Sequence, residues 1–212
     1  MQIAILIFDK LTALDAIGPY EVLSRLPDAE LTFVAKEAGM KRTDTNRLGL
    51  NADAALADVA SPDVVLIPGG EGNRPLLADN EVLDWVRTAH ESSAWTTSVC
   101  TGSLVLGAAG VLEGKRATSH WVYRDSLADF GAIPTAERVV VDGRVVTAAG
   151  VSAGIDMALT LAAQIAGDDI AKAIQLGIEY DPDPPFDAGS PEKAGPDLTG
   201  LIRGLESASI EA

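Results

Sequence analysis

The feature that most constrains this chain is a repeated succession of short apolar runs and longer stretches spaced for a helix. Ile3 to Phe8 is a continuous apolar strand, and Asp15 to Leu26 sets Ile17, Val22, Leu23 and Leu26 at helical spacing. Leu31 to Ala35 reads as a second strand, and Val64 to Ile67 as a third that stops at Pro68-Gly69-Gly70. Glu81 to Ser92 turns Val82, Trp85, Val86 and Ala89 to one face. Trp95 to Val99 is a fourth strand, and Gly102 to Ala109 a small-residue helix stopped by Gly110. Strands alternating with helices predict an α/β fold with a mostly parallel sheet and helices on both faces, because parallel strands need a crossover connection. Such sheets take ligands at the carboxyl ends of their strands. Cys100 and the Gly69-Gly70 turn both fall on that edge.

Further on, Arg138 to Val141, Asp142-Gly143 and Arg144 to Thr147 predict a hairpin, since Asp-Gly between β-branched runs favours a tight turn. Ala153 to Ala166 is then a long apolar helix. The prolines of Asp181 to Phe186 and Pro191 can neither continue a helix nor sit inside a sheet, and they mark the end of the core. The expected organisation is one catalytic domain over 1–180. A proline-rich linker and a C-terminal helix follow over 181–212, with Leu198, Ile202 and Leu205 packing on the core or on a partner subunit.

Charge and composition narrow the function. A formal net charge of -15, with scattered bases, repels phosphate backbones, so no nucleic-acid partner is expected. No apolar run approaches the ~20 residues of a membrane span. The N-terminus enters a strand without a basic region or a cleavage site, which predicts a cytoplasmic protein. A single cysteine with two histidines, His90 and His120, cannot make a usual structural zinc site, and no metal is expected.

The segment Thr96 to Val99, Cys100, Thr101-Gly102-Ser103 and an apolar helix is a strand, a tight turn and a helix start with the thiol at the turn, equivalent to a nucleophile elbow. Such a turn exposes the side chain, Gly102 permits close backbone approach, and a helix N-terminus favours a thiolate. The competing reading is a small buried hydrophobe, as most free cysteines are. Gly69 and Gly70 can present amides free of side chains, and with the Thr101 amide they would form an anion hole. Among possible proton carriers, His90 is expected on the exposed side of its helix, simply solvated, whereas His120 and Trp121 stand closer. Asp15 is either a helix cap or a carboxyl held between Leu14, Ile17 and the thiol. In the second case its pKa is raised and it can donate a proton at neutral pH. Arg74 and Arg116 read as surface residues.

Together these residues resemble the DJ-1/PfpI superfamily, and within it the isocyanide hydratase branch. The matching stretches are Leu14 to Leu23, Ile67 to Gly70, Thr97 to Gly110, Gly114 to Trp121, Ala153 to Asp156 and Glu179 to Pro191. The resemblance implies a flavodoxin-like three-layer fold, a homodimer and a cofactor-free lyase. It also implies catalytic Cys100, Asp15 and Thr101, and a substrate pocket lined by Gly69, Gly70, Ile17, His120 and Trp121. The implied reaction converts an isocyanide and water to an N-formamide through a thioimidate on Cys100. Peptidase-like members carry histidine after the cysteine, where this chain has Thr101, and most members use glutamate where it has Asp15. A glyoxalase or deglycase, a redox sensor and a small-ligand binding protein are the alternatives. The same cysteine and histidine stretches occur in sensor domains of AraC-type regulators, but the tail after Pro191 is too short for a helix-turn-helix region.

Overall fold

A run such as Ile3-Ala4-Ile5-Leu6, apolar on both sides of the pleat, is stable only where both faces are covered. In the computed structural model, which describes residues 1–211 with side chains through Glu206, that run lies between two parallel neighbours. In chain order the first elements are β1 (Gln2–Leu6), α1 (Ala13–Leu23), β2 (Glu30–Ala35), β3 (Gly39–Arg42), β4 (Gly49–Ala52) and β5 (Ala54–Ala55). Next come β6 (Val64–Ile67), α2 (Asn80–Ser92), β7 (Trp95–Val99), α3 (Gly102–Ala108), β8 (Arg116–Ala117), β9 (Ile133–Pro134), β10 (Val139–Asp142) and β11 (Val145–Ala148). Helices α4 (Ala153–Ala166), α5 (Asp168–Gly177), α6 (Pro191–Ala194) and α7 (Pro196–Glu211) complete the chain.

The seven-stranded sheet has the order β10-β11-β7-β6-β1-β2-β5. Every pairing in it is parallel except the β10–β11 hairpin. This is the α/β architecture expected from the strand and helix rhythm. All residues of β6 and all but the first of β1 are buried. The direction of chain progression changes between β1 and β6, and the crevice that opens at such a switch point is where these sheets bind ligands.

The structure departs from the sequence expectations at several places. Helix α1 begins two residues before Asp15 and stops at Leu23, where the Ser24 amide bonds back to Tyr20 O at 3.0 Å. The β3–β4 ribbon and α5 are absent from the elements read from the sequence: the ribbon has mixed burial, whereas α5, starting immediately after Gly167, does turn an apolar face with Ala171 and Ile174 inward. His90 is not simply solvated. It is half-buried, with Nδ1 2.8 Å from Thr96 Oγ1, and the guanidinium of Arg144 donates to its carbonyl oxygen and, at 2.7 Å, to that of Ser93. Arg144 reaches over from the hairpin to satisfy carbonyls that a helix end leaves unpaired, a partnership no helical period reveals.

The chain forms two compact units, Met1–Ile178 and Glu179–Ala212. No helix among the described residues is long and apolar enough to cross a membrane.

Candidate functional site

The carboxyl ends of β1, β6 and β7 converge on Cys100. The residue has φ +57°, in the left-handed region that side chains rarely adopt, so the elbow is a strained turn fixed by its surroundings. Its amide is shared between Ala148 O at 3.2 Å and Ala149 O at 2.9 Å. Gly102 is required by contact, because a Cβ there would stand 2.1 Å from Ile67 O. Cys100 is only 6% exposed. The expectation of an exposed thiol is therefore corrected: the turn aims the side chain into a closed space instead of solvent.

Asp15 lies in the first turn of α1, but it does not cap the helix. Its side chain is fully buried, and Oδ2 accepts the Gly69 amide at 2.9 Å. Oδ1 is buried without a well-formed hydrogen bond. Burial, outweighing the Gly69 bond and the neighbouring Cys100, raises the carboxyl from 3.8 to about 7. Burial and the charge of Asp15 also push the Cys100 thiol up, against the amides of Thr101 and Val151, which favour the thiolate. The helix N-terminus does not win here, so free thiolate is scarce.

Thr101 bridges the two halves of the site. Its hydroxyl accepts the Gly70 amide at 3.1 Å, and its carbonyl oxygen accepts Asn73 Nδ2 at 2.7 Å. The Gly70 amide is thus occupied within the protein, and the amides beside the sulfur are those of Thr101 and Val151. Gly69 is packed so closely that a Cβ on it would be 2.6 Å from both Thr101 N and Oγ1 and 2.9 Å from Asp15 Oδ2. Ile17, two residues beyond Asp15 and so on a different side of α1, is half-buried. His120 and Trp121, both half-buried, have ring centroids 5.8 Å apart, and the His120 ring covers Gly150, the residue before Val151. Arg74 and Arg116 are exposed, with Arg116 ion-paired to Glu137. No group of three or more potential metal ligands occurs among the described residues.

A model of the DJ-1/PfpI family matches residues 1–164. The chain belongs to this family. An isonitrile hydratase of Pseudomonas putida is 48% identical over 194 residues, covering 92% of this chain and 85% of that protein. A ThiJ/PfpI family protein from Pseudomonas syringae has the same fold with a TM-score of 0.95, at 39% identity over 99% of this chain and 87% of that one. The HTH-type transcriptional regulator CdhR of Pseudomonas aeruginosa is 31% identical over 170 residues, 77% of this chain but 49% of the regulator.

Within this DJ-1/PfpI domain, sequence reasoning missed Val151, Asn73, Ser103 and Ser119. Val151 has φ +40°, a costly conformation for a β-branched residue, and that bend aims its amide at Cys100. Its only sequence signal is the Ala149-Gly150 pair that follows β11. Asn73, 3% exposed, sits in the 3-10 turn Glu71–Asn73 directly after the glycine pair. Its sequence signal is an amide side chain three residues after Gly70.

Proposed function

We propose that this protein hydrates isocyanides to N-formamides. The observation that carries the reading is the pairing of a buried thiol with a buried carboxyl near pH 7, in a chain 48% identical to an isonitrile hydratase. An isocyanide carbon must gain a sulfur and a proton at the same atom, and a thiol–carboxyl pair carrying one dissociable proton supplies both.

In the first step the Asp15 carboxylate takes the Cys100 proton as sulfur attacks the terminal carbon of R–N≡C. The protonated Asp15 returns that proton to the same carbon, giving the thioimidate R–N=CH–S–Cys. Water then adds across the C=N bond, its proton passing through Asp15 and its oxygen bonding to carbon, so that nitrogen becomes N–H. Collapse of the tetrahedral adduct breaks the C–S bond, returns the proton to sulfur and releases R–NH–CHO. The Thr101 and Val151 amides stabilise sulfur while it is negative. The Thr101 hydroxyl, held by Gly70, keeps the cavity between Asp15 and the elbow in shape. The protein acts without a cofactor, as a homodimer in the cytoplasm.

Purified protein assayed spectrophotometrically with an aryl isocyanide, beside methylglyoxal, tests the reading. Formamide production that Cys100→Ala abolishes while retaining the fold is the expected result. Turnover of methylglyoxal alone would assign the same thiol to glyoxalase chemistry, and hydration by Cys100→Ala would remove the thiol from the mechanism.

A further inference from the structure

The carbonyl oxygen of Cys100 accepts two buried hydroxyls, Ser103 Oγ at 3.1 Å and Ser119 Oγ at 3.0 Å, filling both of its lone-pair directions. That oxygen and the Thr101 N–H belong to one planar trans peptide, so they point in opposite directions. Holding the oxygen therefore aims the amide. The Thr101 nitrogen faces the active space, since the position of a Cβ on Gly69 would lie 2.6 Å from it and 2.9 Å from Asp15 Oδ2.

The two serines are not equivalent. Ser103 is on α3 and moves with the elbow. Ser119 comes from the loop after β8, which is tied to the sheet where the Thr118 amide donates to Thr147 Oγ1 at 2.9 Å. Only Ser119 references the peptide plane to the core. It is 1% exposed, so its hydroxyl is out of reach of bulk water.

We propose that Ser119 is a positioning residue: by gripping the Cys100 carbonyl oxygen it turns the Thr101 amide toward the nucleophilic sulfur. The proposal rests on Cys100 acting as the nucleophile of the hydratase reading, yet its test requires no isocyanide. Cys100 is the chain's single cysteine, so alkylation by iodoacetamide, followed by intact mass between about pH 7 and pH 9, reports this thiol alone.

Ser119→Ala is expected to slow alkylation by about tenfold, the scale of weakening one hydrogen bond to a charged group. A purely structural role predicts the opposite sign, because loosening a packed loop uncovers a buried thiol. Ser103→Ala, which takes the other hydroxyl from the same oxygen, is expected to slow the reaction in the same sense and serves where Ser119→Ala does not fold. Thr147→Val, which loosens the same loop without touching that oxygen, is expected to lower the melting temperature and leave alkylation as fast or faster. Alkylation of the serine variants at or above the wild-type rate, or an equal slowing in Thr147→Val, overturns the proposal. Slowed alkylation without any isocyanide turnover would sustain Ser119 and reject the substrate.

Discussion

At Asp15 the cost of burying a carboxylate exceeds what one amide returns, which leaves the group at about 7 rather than 3.8. A carboxyl raised in the folded state binds its proton more tightly there than in the unfolded chain. Its contribution to stability is therefore full below about pH 4 and is lost as pH rises to about 7, a loss of order 4 kcal/mol over some three units. Asp15→Asn removes this slope. Its melting temperature relative to wild type is expected to improve on going from about pH 5 to about pH 8, while hydration falls by roughly 10²-fold or more, the scale of a lost acid–base group. For the wild type, kcat/KM is expected to rise through about pH 7 and then level, because the active form is the pair short of one proton. A parallel pair of stability profiles, or full activity in the variant, would return Asp15 to a packing role. Local sequence could not decide between cap and catalyst here. The deciding partner, Gly69, is 54 positions away.

The elements were legible where burial imposes a period and illegible where partners are remote. Helix α2 and strands β1 and β6 follow from apolar spacing alone, β7 from its β-branched residues between Trp95 and Val99 despite a polar middle, and the β10–β11 turn from Asp142-Gly143, with Gly143 at φ +62°. The β3–β4 ribbon, with its mixed burial, and the loop bearing Ser119 owe their shape to tertiary contacts. The elbow was legible because glycine is demanded on steric grounds, and that demand can be tested. Gly102→Ala drives a Cβ against the backbone oxygens of Ile67 and Pro68, 2.1 and 2.7 Å away, which cannot yield without parting α3 from β6. A loss of about 1–3 kcal/mol or more in thermal or denaturant unfolding is expected, together with loss of turnover. Gly154→Ala meets only the side chains of Val99 and Pro19, at 3.1 and 3.2 Å, and is expected to cost less. Equal tolerance at both positions would mean that the elbow does not depend on that contact.

For the whole molecule, charge and apolar exposure act in opposite directions. Leu198, Leu201, Ile202 and Leu205 fall at the spacing of one helix face on α7, and Leu201 and Leu205 are 58% and 60% exposed. An apolar stripe left in water favours association. A net charge of -15 on each chain opposes it, over a screening length of about 30 Å at 0.01 M salt but about 8 Å at 0.15 M. Short-range apolar contact therefore dominates at physiological ionic strength, and a homodimer is expected there. Light scattering should give twice the chain mass of 22.0 kDa at 0.15 M salt, shifting toward the single-chain mass as salt is lowered at micromolar concentration. Replacing Leu201 and Leu205 by Asp adds charge where the apolar face must be covered. This double variant is expected to shift toward monomer while keeping Cys100 chemistry, since neither residue belongs to the unit that holds the site. A 22.0 kDa species at 0.15 M salt would show that self-repulsion prevails and that the α7 face is left to something other than a second copy of the chain.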